Sequence, residues 1–298
     1  MEERNIIQNR LFEYLERTGR TQVAVARSIG VSKSVISQWL NDVYPGDNAK
    51  LEKSVVSFLE KEAEREKSPT TKLKFVHTTA SRRLFEVANI CLWDGEIGVC
   101  TANAGYGKTW AVRQFAERVP STILIEVDPG VTVRVLISEL HRSLGIGGGG
   151  VFSAMLADVI GRLKETGRLL IVDEAECLPH RALESLRRIH DKAGVGILLV
   201  GLPRLIANLR GSRGEFAQLF SRVGVHAALG PATEEDYTAI LAEVRPDAAH
   251  LAKNFHHATM GRLRLLEKLL RRAVRLAEMQ DEALSPDIIT AAKDYLIY

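Results

Sequence analysis

Short apolar runs alternate along the middle of the chain with longer stretches in which apolar residues recur at every third or fourth position. Short runs bounded by Gly, Pro or charged residues are typical of buried strands, and the longer stretches are typical of amphipathic helices. The alternation predicts an α/β fold, a parallel sheet with helices on both faces. The five predicted strands are residues 97–101, 123–127, 169–172, 197–200 and 223–228.

The N-terminal part of the chain shows only the helical pattern. Apolar residues share one helix face over residues 5–17, and a further helix is predicted over 50–64. Between them, Thr21 and Ser32 are placed to cap two short helices. Gly30 lies between these two helices, where the chain is expected to need a positive φ. This part of the chain is therefore predicted to be an all-α domain.

The segment from Gln22 resembles the helix-turn-helix of phage repressors, with the small Ala26 where two helices would cross. The resemblance implies that the second helix of the pair enters the DNA major groove. The residues expected to face the groove are Ser32, Lys33, Ser34, Ser37 and Gln38. The alternative is a small helical bundle that binds a protein or has no ligand.

Charge limits how strongly this domain could bind DNA. Lys33 is the only basic residue in the predicted recognition helix, and acidic and basic residues balance over residues 1–67. The whole chain has a formal net charge of only +3. Because phosphate neutralisation by Lys and Arg supplies most non-specific affinity, we expect this domain to contribute modestly and other parts of the chain to contact DNA as well.

A phosphate-binding motif follows the first predicted strand. Residues 102–109 read Ala-Asn-Ala-Gly-Tyr-Gly-Lys-Thr and match G-x-x-x-x-G-K-[ST], except that Ala102 replaces the first Gly. The match stands between a predicted strand and a predicted helix over 110–118, which is the context that the motif requires. The sequence therefore predicts a site for the phosphates of ATP.

Each residue type in the motif has a physical role. Gly105 and Gly107 allow backbone N–H groups to approach phosphate oxygens, and the N-terminus of the next helix favours an anion. Lys108 adds a positive charge at the β- and γ-phosphates, and the hydroxyl of Thr109 can bind Mg²⁺. The residues predicted to bind ATP are Ala104, Gly105, Tyr106, Gly107, Lys108, Thr109 and Trp110.

A second motif stands at the C-terminal end of the predicted strand 169–172, where ligands bind in parallel sheets. Two carboxylates, Asp173 and Glu174, follow this strand directly. Asp173 is predicted to hold Mg²⁺ beside Thr109, directly or through water. Glu174 is predicted to orient and polarise the water that attacks the γ-phosphate.

The two motifs together resemble those of P-loop ATPases of the AAA+ kind, which implies ATP and Mg²⁺ as ligands and a helical lid after the sheet. By the same resemblance, Arg222, at the end of the segment 216–222, is the arginine finger that reaches ATP in a neighbouring subunit. Arg264 is the γ-phosphate contact of a sensor-2 motif. Leu202 departs from the family, which usually has a polar sensor-1 residue there. Because of Leu202, the expected ATPase is slow. Because Arg222 would come from a neighbouring subunit, the activity is expected to be stimulated by DNA and self-assembly.

The C-terminal segment is predicted to be helical. Thr233 caps a helix, Asp247 starts another, a long helix covers residues 262–279, and Ser285 precedes the last. Four basic residues at helical spacing form one stripe on the long helix: Lys268, Arg271, Arg272 and Arg275. The stripe could face DNA, an acidic neighbouring subunit or solvent.

Composition places the domain boundaries. Mixed charge followed by Ser-Pro-Thr-Thr indicates a linker after the first domain, and the run of glycines at 147–150 indicates a flexible loop. The predicted organisation is a helix-turn-helix domain, a linker, an AAA+ nucleotide-binding domain and a helical lid, at residues 1–67, 68–74, 75–230 and 231–298.

This order of domains closely resembles the family of phage Mu B-type transposition proteins. Stretches that carry the resemblance are 36–48, 173–178, 219–222 and 261–264. The resemblance implies an ATP-dependent protein that binds double-stranded DNA without strong sequence preference and polymerises on it as a helical homo-oligomer. It also implies that the protein recruits and stimulates a DDE transposase.

Two other functions stay open from the sequence. One is a replication-type AAA+ loader that acts on a helicase, and the other is a transcription regulator in which ATP is a signal. No apolar run approaches the length of a membrane span, and the charged N-terminus is unlike a signal peptide. We therefore expect a cytoplasmic protein with no membrane partner.

Overall fold

The computed structural model describes residues 2–67, 73–147, 150–211 and 220–296. Contacts divide the chain into two compact units, Met1–Thr70 and Thr71–Tyr298. Most of the predicted linker, residues 68–72, lies outside the described residues, as does the middle of the predicted glycine loop.

The first unit is made of helices. Thr21 accepts a hydrogen bond from the N–H of Ala24, and Ser32 accepts one from that of Val35, so each hydroxyl caps a helix as expected. Gly30 ends the first of these helices with φ of 82°. The helices of this unit are α1 (Glu2–Thr18), α2 (Gln22–Ile29), α3 (Lys33–Leu40) and α4 (Asn48–Lys67).

A single apolar core joins these helices. Trp39 and Ile36 on α3 have no exposed surface and pack with Leu11 of α1 and Val55 of α4. The side chain of Gln8 donates a hydrogen bond to the carbonyl of Trp39 at 2.6 Å and so ties α1 to the end of α3. The packing holds α3 by its apolar face and leaves the opposite face accessible.

The second unit contains a five-stranded parallel sheet in the order β2-β3-β4-β1-β5. The predicted parallel sheet is confirmed, and the strand limits differ from the prediction by at most one residue. The strands are β1 (Ile97–Thr101), β2 (Thr122–Glu126), β3 (Leu169–Asp173), β4 (Gly196–Gly201) and β5 (Val223–Ala228).

Helices cover both faces of this sheet. Alternate residues of β3 show why, since Leu170 and Val172 pack on one face while Leu169 and Ile171 pack on the other. The first face is covered by α7 (Val133–Ser143), α8 (Phe152–Leu163), α9 (His180–Ala193) and α10 (Arg204–Arg210). The second is covered by α5 (Thr79–Asp94) and α6 (Lys108–Arg118).

Helix α5 was not among the predicted elements, although local signals mark both of its ends. Thr78 accepts a hydrogen bond from the N–H of Ser81 at its start, and Gly95 follows it in the left-handed conformation. Both are ordinary helix-end signals. The helix packs on β1, β4 and β5, beside α6, the helix that follows the phosphate loop.

Helices α11 (Glu234–Val244), α12 (Ala252–Thr259), α13 (Leu263–Gln280) and α14 (Pro286–Lys293) follow the sheet and form the expected helical lid. They share a core with Tyr237, Phe255 and Leu266 at its centre. The helix expected from Asp247 begins instead as the 3-10 turn Pro246–Leu251, in which the N–H of Ala248 bonds to the third residue before it. Among the described helices, none combines the length and apolar composition of a membrane span.

Candidate nucleotide-binding site

The predicted phosphate loop connects β1 to α6 at the C-terminal edge of the sheet. Gly105 and Gly107 have φ of 86° and 88°, a conformation that side chains with a Cβ rarely adopt. Gly107 is the N-cap of α6 and offers no side chain to its first N–H groups. These N–H groups are therefore available to an anion.

The structure shows why Ala102 is tolerated in the motif. It is buried just after β1, its N–H donates to the carbonyl of Gly201 at 3.0 Å, and its φ is not positive. A Cβ is therefore compatible with this backbone. The departure from the first Gly leaves the two glycines that turn the loop unchanged.

Lys108 lies in the loop with only 8% of its surface exposed. Its Nζ donates hydrogen bonds to the carbonyls of Ala102 at 2.9 Å and Asn103 at 3.2 Å. Burial lowers its pKa, while the nearby carboxylates of Asp173 and Glu174 act in the opposite direction. The ammonium is thus held at the loop by neutral carbonyl groups, and a phosphate would be a stronger partner.

Asp173 ends β3 and is completely buried. Its Oδ1 accepts the N–H of Glu174 at 3.0 Å, and its Oδ2 has no hydrogen-bond partner among the described residues. Burial raises the pKa of Asp173, and the nearby Thr109 hydroxyl, the N–H of Glu174 and the charge of Lys108 reduce the rise. A buried carboxylate oxygen without a partner beside a threonine hydroxyl fits a hard cation such as Mg²⁺.

Glu174 follows Asp173 in the left-handed conformation, with φ of 56°. Such a backbone is strained for a residue with a Cβ, and it turns the exposed side chain of Glu174 into the cavity beside the loop. Burial first, and then the charges of Glu176 and Asp173, raise the pKa of Glu174. The group is therefore a better proton acceptor than an ordinary glutamate.

A cavity of about 580 Å³ gathers most of the predicted ligand contacts. Tyr106 does not line the cavity, because its ring packs against the core under α5 and α6. The predicted residues that line the cavity are Ala104, Gly105, Gly107, Lys108, Thr109, Trp110, Glu174 and Arg264, and Leu202, at the expected sensor-1 position, lines it as well.

Some lining residues were not anticipated from the sequence. Leu73 comes from the segment before α5, Arg113 from α6 and Glu267 from α13. Arg113 forms a two-pronged salt bridge with Glu126 at the end of β2, at 2.5 Å for each nitrogen–oxygen pair. Its position one turn after Trp110 on α6 is the signal that could have indicated it.

The lid reaches the phosphate loop through the start of α13. The backbone N–H of Arg264 donates to the carbonyl of Gly105 at 3.3 Å. A Cβ at Gly107 would lie 3.0 Å from a methyl carbon of Leu263. The Arg264 side chain itself is exposed in the cavity, so the predicted sensor-2 residue lies beside the loop of its own chain.

Arg222 lies at the opposite edge of the sheet. It immediately precedes β5, whose first residue pairs with the start of β1, whereas the phosphate loop follows the end of β1. The length of a strand, at roughly 3.3 Å per residue, therefore separates the guanidinium from its own loop. Its Nε lies 3.4 Å from Oδ1 of Asp191, and its side chain is 55% exposed. The preceding residues 216–219 lie outside the described part of the chain.

The predicted DNA contacts lie on accessible surfaces. Of the five residues assigned to α3 and its cap, Ser37 is half-buried and the others are exposed: Ser32, Lys33, Ser34 and Gln38. The hydroxyl of Ser32 is already used as the helix cap and bonds to that of Ser34 at 2.7 Å. All four residues of the α13 stripe are exposed, and Arg272 donates to the carbonyl of Tyr295.

Comparison with known proteins relates this arrangement to a family. Residues 94–209 match the model of the AAA domain. The chain is 31% identical over 237 residues to the Mu-like prophage FluMu DNA transposition protein B of Haemophilus influenzae, covering 78% of this chain and 83% of that protein. It is 28% identical over 287 residues to the ATP-dependent target DNA activator B of Escherichia phage Mu, covering 93% and 91%.

Solved structures agree with the fold. The Aeropyrum pernix ORC2 protein, in its ADPNP–ADP complexes, superimposes with a TM-score of 0.54 at 18% identity, over 73% of this chain and 68% of that one. At this identity the likeness concerns the AAA+ fold alone. Sequence, sheet order and phosphate loop agree, and the chain belongs to the AAA+ family of the Mu B-type DNA transposition proteins.

Proposed function

We propose that this protein binds and hydrolyses ATP at the cavity between the phosphate loop and the lid. The observation that carries the proposal is the convergence of Lys108, buried Asp173 and exposed Glu174 at one edge of the sheet. The N–H groups of the loop and Lys108 would bind the phosphates, and Thr109 and Oδ2 of Asp173 would hold Mg²⁺. The cation would neutralise charge that develops on the phosphates.

Glu174 takes the role of orienting water. Its carboxylate accepts a hydrogen bond from the water that attacks the γ-phosphate, and its raised pKa favours proton uptake. Arg264, on the lid, contacts the γ-phosphate of ATP in the same chain. The lid, which contacts the loop through the N–H of Arg264, would limit the access of bulk water to the phosphates.

Arg222 serves the site of a neighbouring subunit. The distance between Arg222 and its own loop supports an arrangement in which each ATP lies between two copies of the chain. A guanidinium supplied from outside stabilises charge in phosphoryl transfer. Hydrolysis would therefore be slow in the monomer and faster in an assembly.

The protein's wider function is proposed to be selection of target DNA for transposition. It would polymerise on double-stranded DNA when ATP is bound, with little sequence preference, and recruit and stimulate a DDE transposase. The names of its relatives, a transposition protein B and an ATP-dependent target DNA activator, support this role. Residues 1–67 would act as a helix-turn-helix domain through α3, with further phosphate contacts from the sheet domain and lid.

Electron microscopy with random-sequence duplex DNA tests this function directly. With ATP and Mg²⁺ we expect continuous filaments on DNA, fewer with ADP, and none when Lys108 is replaced by Ala. Binding should weaken steeply as salt rises, because phosphate contacts release counterions. Discrete rings that appear only with a helicase, or binding restricted to palindromic sites, would contradict the proposal.

A further inference from the structure

A buried carboxylate lies behind the nucleotide site. Glu176 belongs to the short 3-10 turn Ala175–Cys177 that follows Glu174, and its side chain has no exposed surface. Its Oε2 accepts a hydrogen bond from the backbone N–H of Leu202 at 3.1 Å. Burial of a carboxylate is costly unless such bonds compensate for lost water, so this contact constrains both groups.

The chain leaves space for this contact at Gly201. A Cβ on Gly201 would lie 2.2 Å from Oε2 of Glu176, so a larger residue would displace the carboxylate. The carbonyl of the same glycine accepts the N–H of Ala102 at the start of the phosphate loop. Gly201 therefore lies between the loop and the carboxylate and touches both.

Helix α10 is tied to the same residue. Asn208 donates a side-chain hydrogen bond to the carbonyl of Glu176 at 3.1 Å, and Nη2 of Arg204 lies 3.9 Å from Oε1. Oε1 has no hydrogen bond to any residue that the structure describes. Glu176 thus holds the connection from β4 to α10 at both its ends.

This connection forms part of the cavity wall. Leu202 and Glu174 both line the cavity, and the side chain of Leu202 offers no hydrogen bond there. The place of the wall is therefore set by the backbone of Leu202, and that backbone is held by Glu176. A shift of the wall would change the space for the attacking water beside Glu174.

We propose that Glu176 is a positioning residue for hydrolysis, whose buried carboxylate holds the backbone of Leu202 at the place where other AAA+ proteins are expected to use a polar side chain. The inference rests on the proposed ATPase activity. It assigns Glu176 no contact with ATP, so the residue acts on turnover and leaves nucleotide affinity unchanged.

Steady-state ATP hydrolysis by full-length variants tests this role, together with fluorescent-nucleotide binding. Glu176→Ala removes the acceptor. We expect kcat to fall about 10- to 100-fold, because small displacements in active sites slow turnover by such factors. KM and ATP affinity should stay within about twofold of the wild-type values. Glu176→Gln retains an acceptor oxygen for Leu202 and should keep kcat within about threefold. Glu278→Ala, an exposed acid on α13, is the control and should match the wild type.

Gly201→Ala tests the same role if Glu176→Ala does not fold, because the added methyl group would push the carboxylate of Glu176 away from Leu202. It should lower kcat by more than it weakens ATP affinity, because the carbonyl of Gly201 also holds Ala102 at the start of the phosphate loop. The inference is wrong if Glu176→Ala retains wild-type kcat, if ATP affinity falls in parallel with kcat, or if Glu176→Gln is as slow as Glu176→Ala. Absence of turnover in the wild type with DNA would instead contradict the proposed ATPase itself.

Discussion

Three side chains at the C-terminal edge of the sheet would carry the proposed chemistry, and they differ in burial. Lys108 and Asp173 are both buried, which lowers the pKa of the first and raises that of the second. The charged form of each residue is therefore stabilised when a ligand of opposite charge binds beside it. Glu174 is exposed to the cavity and can meet a water molecule there.

Replacing Lys108 by Ala should abolish ATP binding, because no other cation is held within the phosphate loop among the described residues. We expect ATP affinity to fall by about 30- to 150-fold or more in a calorimetric titration, since a charge-assisted contact to phosphate is worth about 2–3 kcal/mol or more when buried. Lys192→Ala, an exposed lysine at the end of α9, is the control. Unchanged affinity in Lys108→Ala would refute the site assignment.

Replacing Glu174 by Gln should preserve ATP binding and stop turnover. The amide keeps the shape of the side chain and removes the charge that polarises water, so phosphate release should fall by at least about 100-fold. The variant should also stay on DNA longer, because its ATP state persists. Wild-type phosphate release from Glu174→Gln would show that another group orients the water.

Acidification should affect the wild type through the same group. Burial and neighbouring carboxylates raise the pKa of Glu174, and the role requires the charged form. The turnover rate should therefore be maximal above this raised pKa and fall as the pH falls through it. The fall should occur at a higher pH than for an enzyme that depends on an ordinary glutamate. A rate that is flat down to the usual range of glutamate would contradict the raised pKa.

At the scale of elements, the lid and the sheet domain are joined by shared helix caps. Asp236 on α11 is buried, and its Oδ2 accepts the N–H of Thr233 in a capping box. Its Oδ1 accepts the N–H of Thr79 at 2.9 Å, at the start of α5. One carboxylate thus satisfies the first turns of two helices from different parts of the second unit.

Asp236→Ala should destabilise the second unit. Two caps are lost together, which costs about 2 kcal/mol and lowers Tm by about 4–8 °C. Glu235→Ala changes the adjacent exposed acid and is expected to shift Tm by less than half as much. Thermal unfolding followed by circular dichroism gives the comparison. Equal shifts for the two variants would show that the buried bonds add nothing.

At the scale of the whole molecule, the two halves of the proposed catalytic site lie at opposite edges of one sheet. The phosphate loop follows β1, whereas Arg222 precedes β5. Asp191 pairs with Arg222 within the same chain, and an assembled neighbour would have to offer a stronger partner. If Arg222 acts as proposed, a completed site would require a second copy of the chain.

Arg222→Ala should bind ATP normally and lose at least about 10³-fold in DNA-stimulated turnover, the lower end of what such arginines contribute. Arg188→Ala, an exposed arginine of α9, is the control. Mixing Arg222→Ala with Lys108→Ala protein should restore activity at up to about a quarter of the interfaces, since each chain lacks a different half of a head-to-tail site. If Arg222→Ala alone hydrolyses ATP at the DNA-stimulated wild-type rate, the shared site is wrong.

The sequence by itself determined the features that depend on neighbours along the chain. Apolar runs located the five strands, because the burial of a strand is visible in consecutive residues. Helix starts were located by capping side chains, which accept the N–H three residues further on, at Thr21, Ser32 and Thr233. The phosphate loop and Asp173 followed from residue types at fixed spacing. Helix α5 is also bounded by local signals, the cap at Thr78 and the left-handed Gly95.

Only the tertiary structure decided the contacts between distant segments. The lid bond from Arg264 to Gly105, the cap from Asp236 to Thr79 and the bond from Leu202 to Glu176 each join groups that no local pattern relates. Their partners are chosen by sheet order and helix packing, because these place particular backbone groups next to buried carboxylates. The edge on which Arg222 lies follows in the same way from the register of β5 against β1.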